Sequence, residues 1–339
     1  MRRRVLSIAA VLALVACGHS EPYAVVPPDP VGPFTSTFPR RLTFNPLGDI
    51  TPSVVGDTLV FSRREPRRSD RDRCLALLPV EGGRLHRTSC ARGALADSVR
   101  DVWIYPTVSP DRQRVAFVRE RYGLVSGFLL DRAIVVASLA APDSGFVAVT
   151  GAYRLPDGRF GNGFRHLTWL DDATLRFLGG IERIGDGAVE GFVPAGVFEL
   201  SVSGSEPTEP RIVAELADAL AYAPGTDGET FFRRAGDPFG VWRVAPGSPA
   251  AEVARFESLD TAVLQSVADI ALVGDALVAI ATFVYPEGAT VDLLVRRALA
   301  GGPQEVESVA FTPQRLVGVP GRDLVVVEAA GDLWLVAAR

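Results

Sequence analysis

The sequence predicts an all-β fold made of repeats. After residue 40, short runs of strand-forming residues alternate with turn residues, and we find no convincing helical pattern. The recurring unit is an apolar strand, a tight turn that carries an aspartate, and a second strand of branched and aromatic residues. It occurs six times, with its turn aspartates at Asp57, Asp111, Asp172, Asp227, Asp275 and Asp323. Repeats of roughly 40–60 residues with about four strands each are typical of a β-propeller, and we predict six blades of four strands.

Composition narrows the chemistry that this fold can perform. The 339 residues include 33 Gly and 25 Pro, a share above the roughly 12% of an average protein, as expected for a chain with many turns. All 35 basic residues are Arg. This excludes Schiff-base enzymes, P-loop nucleotide hydrolases and S-x-x-K hydrolases, since each needs a lysine. The formal net charge of −5 argues against a nucleic-acid partner.

The first 16 residues have the pattern of a secretory signal. A basic start, Met1–Arg4, precedes an apolar run, Val5–Val15, that is too short to cross a bilayer. The segment Leu14-Val15-Ala16-Cys17-Gly18 resembles the bacterial lipoprotein signal. The resemblance implies that residues 1–16 are removed and that Cys17 then carries the lipid that anchors the protein in a bilayer. An ordinary secreted protein cut at an A-x-A site is the alternative.

The lipidation motif also predicts a location. Gly18, rather than Asp, follows the lipidated cysteine, which resembles lipoproteins sorted to the outer membrane where a cell has two membranes. Residues 17–39 contain six prolines and no amphipathic period, and proline favours the extended polyproline II conformation. We therefore expect a tether at 17–39, a propeller domain at 40–339, and a protein of the cell envelope held to the lipid bilayer.

The clearest repeat spans Trp103–Val118. It resembles the TolB-type, WD40-like blade, whose signature is P-x-[WF]-S-P-D-G-x-x-[IV]-[AV]-[FY]. The matching positions are Pro106, Ser109, Pro110, Asp111, Val115, Ala116 and Phe117. Val108 replaces the usual aromatic residue and Arg112 replaces the turn glycine, and the other repeats match more weakly. The resemblance implies a propeller that binds partners in the periplasm, although a fold does not by itself fix a function.

The two ends of the chain predict how the propeller closes. The last repeat offers three strand-like runs, at Arg315–Val319, Leu324–Glu328 and Asp332–Ala337, and is one strand short. The run Arg40–Phe44 precedes the first repeat and can supply the missing strand. Pairing the first strand with the last blade removes exposed sheet edges. Because degenerate repeats are easily miscounted, five or seven blades are the alternatives to six.

Cys74 and Cys90 flank a predicted hairpin whose centre is Gly82. In that hairpin the two cysteines face each other across neighbouring strands. The compartment that the lipoprotein signal implies is oxidising. We predict a disulfide between Cys74 and Cys90, with two free thiols as the alternative.

Few residues of the predicted domain can support catalysis or bind a metal ion. It contains two histidines, His86 and His166, and we find no G-x-S-x-G motif, C-x-x-C pair or H-x-x-x-H pair. We therefore assign no catalytic residue, no metal ligand and no cofactor. His166 lies in Phe164–Trp169, an apparent inner strand, where it can line the central channel and contact a ligand. A structural histidine is the alternative.

Loop lengths predict which face of the propeller binds. The connections between the second and third strands of several repeats are long, and loops on a rigid scaffold commonly carry recognition. The first of them, Arg63–Arg73, has six arginines on an otherwise acidic protein. The candidate binding residues are Arg63, Arg64, Arg67, Arg68, Arg71, Arg119, Tyr122 and His166. A solvated loop of mixed charge is the alternative for the arginines.

Two functions are compatible with these observations. The first is a non-enzymatic, lipid-anchored propeller that binds a protein, peptide or glycan of the envelope. The second is a metal-dependent propeller hydrolase, similar to the propeller lactonases, with carboxylates in the channel and His166 beside them. Three or more acidic side chains that converge at the channel mouth would favour the second.

Overall fold

The computed structural model describes residues 38–65, 73–91, 99–185, 188–204, 208–307 and 309–338. The signal, Cys17 and nearly all of the tether lie outside these ranges, and so do Arg67, Arg68 and Arg71. No helix within the described ranges is long and apolar enough to cross a membrane. The lipid anchor and the envelope location stay predictions.

The described residues form 26 β-strands and one short 3-10 helix at Ala214–Leu216, so the all-β prediction is confirmed. In chain order the strands are β1 (Arg40–Arg41), β2 (Asp49–Val55), β3 (Thr58–Arg64), β4 (Arg73–Pro79), β5 (Arg87–Ser89), β6 (Val99–Val108), β7 (Arg114–Gly123), β8 (Leu129–Ser138), β9 (Ala141–Thr150), β10 (Tyr153–Arg154), β11 (Phe160–Gly161), β12 (Gly163–Trp169), β13 (Thr174–Gly185), β14 (Ala188–Ser201), β15 (Arg211–Ile212), β16 (Ala219–Pro224), β17 (Thr230–Arg234), β18 (Gly240–Val244), β19 (Ala251–Arg255), β20 (Val263–Val273), β21 (Ala276–Val284), β22 (Thr290–Ala298), β23 (Glu305–Glu307), β24 (Arg315–Gly318), β25 (Leu324–Ala329) and β26 (Asp332–Ala337).

The sheets form a propeller-like arrangement, but their number differs from the prediction. Four sheets have four strands each: β12–β15, β16–β19, β20–β23, and β24–β26 with β1. The structure therefore has four separate four-stranded blades rather than six. The strands of the first two repeats, β2–β9, form one sheet of eight strands. The reason is local: β4 and β6 pair in parallel at Arg73 and Val102, and this contact joins the two repeats.

The N-terminal strand pairs with the last strand of the chain. Arg40 lies opposite Leu335 and Arg41 opposite Trp334, so β1 becomes the fourth strand of the sheet that contains β24. The pairing continues beyond β1, because Leu42 N donates to Leu333 O at 2.7 Å. The last sheet thus takes its outer strand from the opposite end of the chain.

Six buried apolar clusters among the described residues hold the repeats together. Five of them lie between repeats that follow one another in the chain. The sixth joins the two ends: Leu59 and Phe61 of β3 pack with Leu333 and Leu335 of β26, and Leu42 lies in the same cluster. Burial of both faces explains why the strands read as nearly continuous apolar runs.

The turn between β6 and β7 shows why the clearest repeat keeps its Ser-Pro-Asp sequence. Asp111 Oδ1 accepts hydrogen bonds from Ser109 Oγ at 2.5 Å and from Gln113 N at 2.9 Å. Ser109 Oγ in turn accepts one from Arg114 N at 2.9 Å. Arg112 adopts the left-handed conformation, with φ of 59°, at the position where the TolB-like signature has glycine.

The predicted disulfide is confirmed. Cys74 and Cys90 are bonded, with an S–S distance of 2.04 Å and a Cα–Cα distance of 4.3 Å. The neighbouring residues Leu75 and Ser89 pair across β4 and β5, so the hairpin has the predicted centre. The bond therefore links two strands that already lie side by side.

Candidate functional site

The first strands of all six repeats line one central cavity, which has a volume of about 480 Å³. Its walls come from β2, β6, β12, β16, β20 and β24 and from the turns that follow these strands. The lining residues lie within segments 51–56, 105–110, 166–169, 222–226, 270–274 and 315–321. The cavity thus extends from the middle of the strands toward the tight turns, and not toward the long loops that we expected to carry recognition.

Three of the lining strands carry the same irregularity. Thr51, Tyr105 and His166 lie where β2, β6 and β12 shift register against their partners, and their φ angles are 53°, 52° and 51°. Positive φ is uncommon for residues other than glycine, and a β-bulge changes the direction of a side chain. Thr51 Oγ1 accepts a hydrogen bond from Tyr105 N at 3.0 Å, which ties the first two bulges together.

Arg315, the first residue of β24, is the one side chain with a full charge among the described residues that line the cavity. Its guanidinium carbon lies 4.6 Å from the centroid of the Tyr105 ring. Its Nη2 atom lies 3.5 Å from the Tyr105 hydroxyl oxygen. A guanidinium that stacks on an aromatic ring keeps its N–H edge available to other partners.

Two buried carboxylates, Asp269 and Glu328, lie near that guanidinium but are engaged by the backbone. Asp269 Oδ2 accepts a hydrogen bond from Leu316 N at 2.9 Å, and its Oδ1 accepts one from Ile270 N at 3.0 Å. Glu328 Oε2 accepts a hydrogen bond from Thr51 N at 2.7 Å. Both carboxylates therefore stabilise the strands that surround the cavity.

Burial and neighbouring charges shift the pKa values of Asp269, Glu328 and Arg315 in opposite directions. Burial raises the pKa of Asp269 and of Glu328, and the nearby Arg315 lowers both. Burial alone would lower the pKa of Arg315, but Tyr105 and the two carboxylates raise it above its ordinary value. Arg315 is therefore a permanent cation at this depth in the cavity.

His166 lines the same cavity as a neutral side chain. Burial lowers its pKa well below the ordinary value, and the positive charges of Arg315 and Arg165 lower it further. Its backbone oxygen accepts a hydrogen bond from the Tyr222 hydroxyl, which also lies 3.0 Å from Thr168 Oγ1. Burial raises the pKa of Tyr222, so this phenol stays protonated.

The turns at the other end of the lining strands form an acidic rim. The six turn aspartates that defined the repeats are all exposed there: Asp57, Asp111, Asp172, Asp227, Asp275 and Asp323. Asp172 Oδ1 accepts a hydrogen bond from Asp111 N at 2.9 Å, and Arg112 Nη2 donates to Asp57 Oδ1 at 3.1 Å. These contacts tie the turns of neighbouring repeats to one another.

A second cavity, of about 380 Å³, lies between the second and third repeats. Its floor contains Arg132 and Glu182, both buried. Arg132 forms an ion pair with Glu182 and a second one with Glu120, at 3.0 Å. Arg165 also pairs with Glu182, at 3.3 Å. The charges of this cluster are paired with one another, so we assign it to the stability of the fold.

The predicted binding residues that the structure describes do not form one surface. Arg63 is buried rather than exposed, because β3 is covered on both faces, and it pairs with Asp49 at 3.2 Å. Arg119 pairs with Asp131 at 2.9 Å. The Tyr122 hydroxyl donates to a glutamate of the cluster described above. Arg64 is half-buried at the end of β3, and Arg67, Arg68 and Arg71 lie outside the described residues.

Tyr105, Tyr222 and Arg315 also line the cavity, and none of them was predicted from the sequence. Tyr105 had a detectable signal, because it lies six residues before a turn aspartate, as do Thr51 and His166. Arg315 had none, since a single arginine at the start of an apolar strand is common at protein surfaces. Within the described part of the chain, no three His, Cys, Asp or Glu side chains come together as a possible metal site.

No protein-family model matches this chain, and no curated protein matches its sequence. Solved structures do match. The gluconolactonase XC5397 from Xanthomonas campestris has 14% identity and a TM-score of 0.50, with 91% of this chain and 98% of that chain covered. The fold is that of a β-propeller. The propeller domain of the Trilobed protease from Pyrococcus furiosus has 12% identity, a TM-score of 0.40 and coverages of 85% and 94%.

A prolyl endopeptidase has 13% identity and a TM-score of 0.45, and the match covers 83% of this chain. This chain spans 44% of the length of that enzyme. At these identities the likeness concerns the fold alone. A propeller scaffold hosts many functions, so the site has to be judged from its own side chains.

Proposed function

We propose that this protein is a lipid-anchored component of the cell envelope whose β-propeller binds a protein, peptide or glycan without converting it. The observation that carries the proposal is the central cavity, to which all six repeats contribute their first strands. Its size falls in the range of roughly 300–1,000 Å³ that is usual for ligand sites. A few polar groups, Tyr105, His166 and Arg315, are set in otherwise largely apolar walls.

The proposal includes a closed ring of six four-stranded blades. Its support is that the eight-stranded sheet contains the strands of two repeats, which are joined, among the described residues, by the pair Arg73 and Val102. The apolar cluster between the first and last repeats and the pairing of β1 with β26 support closure at the chain ends. Closure in this way removes sheet edges that would otherwise pair with other chains.

Anchoring rests on the lipoprotein-like sequence that ends at Cys17. Several acyl chains hold a protein durably in a bilayer, at about 0.8 kcal/mol per buried CH₂ group. The proline-rich segment that follows would keep the propeller away from the lipid surface. A binding protein with these parts would sample partners in the envelope without diffusing away.

The experiment compares two tryptophan variants of the full-length protein on peptide and glycan arrays. Val317→Trp places a bulky ring in the cavity wall, and Val291→Trp places the same ring at an exposed position of β22. We expect a ligand bound by the unchanged protein to be lost by Val317→Trp and kept by Val291→Trp. Equal binding by both variants would reject the cavity as the binding site.

A metal-dependent hydrolase is the rival function, and the fold shared with a gluconolactonase suggests lactones as the substrates to try. The side chains do not favour it, because the charged group in the cavity is a cation, Arg315, which repels a divalent metal ion. Turnover of lactones that depends on added metal, and that Val317→Trp abolishes, would replace the binding proposal.

A further inference from the structure

We infer that Arg315 and Tyr105 form a receptor for the carboxylate of a small, mainly apolar ligand at the inner end of the central cavity. The inference deepens the proposed function and rests on it, since it names the chemical group that the cavity recognises. The shared chemistry is one free carboxylate next to an apolar body. Such a group occurs both in acylated amino acids and at the C-terminus of a peptide.

Arg315 is a cation that has no ion-pair partner among the described residues. No carboxylate oxygen of the described residues lies within 4.0 Å of its guanidinium nitrogens. Its Nη2 atom contacts the Tyr105 hydroxyl at the long distance of 3.5 Å. Arg315 is half-buried, and the planar fork of an arginine matches a carboxylate with two parallel hydrogen bonds.

The two nearby carboxylates are engaged by the backbone and do not form that ion pair. Asp269 and Glu328 accept hydrogen bonds from backbone N–H groups at 2.7 to 3.0 Å. Neither belongs to the residues that line the cavity, whereas Arg315 does. They raise the pKa of Arg315, and its side chain lines the cavity without them.

The other polar groups of the cavity add one hydrogen-bond donor and no second charge. The Tyr105 hydroxyl lies beside the guanidinium and can donate to a second carboxylate oxygen. Burial and two neighbouring arginines keep His166 uncharged. The hydroxyl of Tyr222 is used by the His166 backbone oxygen. The polar end of the cavity therefore offers one cation and one phenol to a single anionic group.

The walls and the rim restrict the rest of the ligand. Val54, Val108, Leu272 and Val317 line the cavity between its polar end and the turns. Apolar walls favour an apolar body by burial of its surface. Beyond them stand the six exposed turn aspartates, which disfavour ligands with several negative charges. The site thus selects a monocarboxylate over a polyanion such as a nucleotide.

The experiment measures calorimetric affinity of the full-length protein for matched acids and amides. The probes are N-acetylphenylalanine and its amide, and acetyl-Ala-Ala-Phe with a free or amidated C-terminus. We expect the acid of at least one pair to bind about 10- to 100-fold more tightly than its amide, as the loss of a charge-assisted hydrogen bond implies. A preference confined to one pair identifies the free acid or the peptide terminus as the source.

The variants are Arg315→Gln and, as a matched control, Arg159→Gln. Arg159 is exposed and pairs with Asp157 two residues away. We expect Arg315→Gln to bind acid and amide alike and Arg159→Gln to keep the preference. If Arg315→Gln fails to fold, Tyr105→Phe replaces it, and its acid preference should fall about 2- to 10-fold.

Equal affinity of the unchanged protein for acid and amide would overturn the inference. The absence of binding of either probe at a concentration of about 10 mM would overturn it as well. So would a preference that survives in Arg315→Gln. The proposed function fails separately. An array ligand lost in Val317→Trp but without a carboxylate requirement would keep that function and reject this inference.

Discussion

Arg41, in the first strand of the described chain, lies directly opposite Trp334, in the last strand. Its guanidinium carbon is 5.9 Å from the centroid of the Trp334 ring, and Nη2 is 2.5 Å from Asp332 Oδ2. The two ends of the chain therefore meet in one sheet through backbone pairing, ring contact and an ion pair. Contacts between segments this far apart in the chain carry a cost in loop-closure entropy, which the rest of the fold has to offset.

A substitution at Leu42, which follows Arg41 in the chain, tests how much the contact between the first and last repeats stabilises the protein. Leu42 is fully buried in the cluster between the first and last repeats. We expect Leu42→Ala to lower the free energy of unfolding by about 2–5 kcal/mol, because it removes apolar contacts and leaves a cavity. Denaturant unfolding measures the loss. Leu124→Ala, at a leucine that is 43% exposed, should change stability by less than about 1 kcal/mol.

The disulfide between Cys74 and Cys90 should stabilise the first repeat. Its partners are 16 residues apart, and closing a loop of that length is worth about 3 kcal/mol. We expect the variant Cys74→Ser, Cys90→Ser to lose roughly this amount in denaturant unfolding without reductant. Adding reductant should lower the stability of the unchanged protein and leave the variant unaffected. A response of the variant to reductant would contradict this assignment.

The buried ion-pair cluster should be more sensitive to loss of its cation than an exposed pair is. Arg132 lies between Glu120 and Glu182, and all three side chains are buried. Arg132→Met leaves two buried carboxylates short of a partner, so we expect a loss of about 3–5 kcal/mol in free energy of unfolding. Arg159→Met is the matched control at an exposed pair, and a similar loss there would refute the assignment.

Glu328 should make the protein less stable as the pH rises. Burial raises its pKa in the folded protein above the ordinary value, so the folded state holds this proton more tightly than the unfolded state. Stability from this group is therefore present below the unfolded pKa of 4.5 and is lost as the pH rises through the folded pKa.

Glu328→Gln isolates this effect, because glutamine keeps an oxygen that can accept the hydrogen bond from Thr51 N. We expect the free energy of unfolding of the variant, relative to the unchanged protein, to increase between about pH 4 and pH 7. Urea unfolding at several pH values measures the trend. A difference that stays constant or decreases over this interval contradicts the sign that burial predicts.

Lipidation at Cys17 predicts a change in both mass and location. The unchanged protein should incorporate a labelled palmitate analogue and sediment with membranes, because acyl chains insert into the bilayer. Cys17→Ser should lose both properties. Cys74→Ser provides a control, since Cys74 is engaged in the disulfide and should not affect the label. A secreted, unlabelled wild-type protein would favour cleavage at an A-x-A site instead.

Local patterns in the sequence were sufficient to predict hairpins and turns, whose residues are close together in the chain. The hairpin centre at Gly82 predicted which cysteines pair, since facing positions in a hairpin follow from its turn. The spacing of turn aspartates located the first strand of each repeat, because each aspartate lies in the tight turn that follows this strand. By contrast, the pattern placed Arg63 in an exposed loop, although β3 extends to Arg64 and buries it beside Asp49.

The all-β fold made of repeats follows from the spacing of apolar residues and from the turn residues, and a sequence displays both directly. These two patterns also predicted the strands, the disulfide and the N-terminal run that became β1. Only the tertiary structure decided that Arg73 and Val102 join two repeats into one sheet. It also decided that Arg315 faces Tyr105, which is 210 positions away in the chain. The physical reason is that such contacts depend on how separate strands are placed around a common cavity, and no local pattern records that placement.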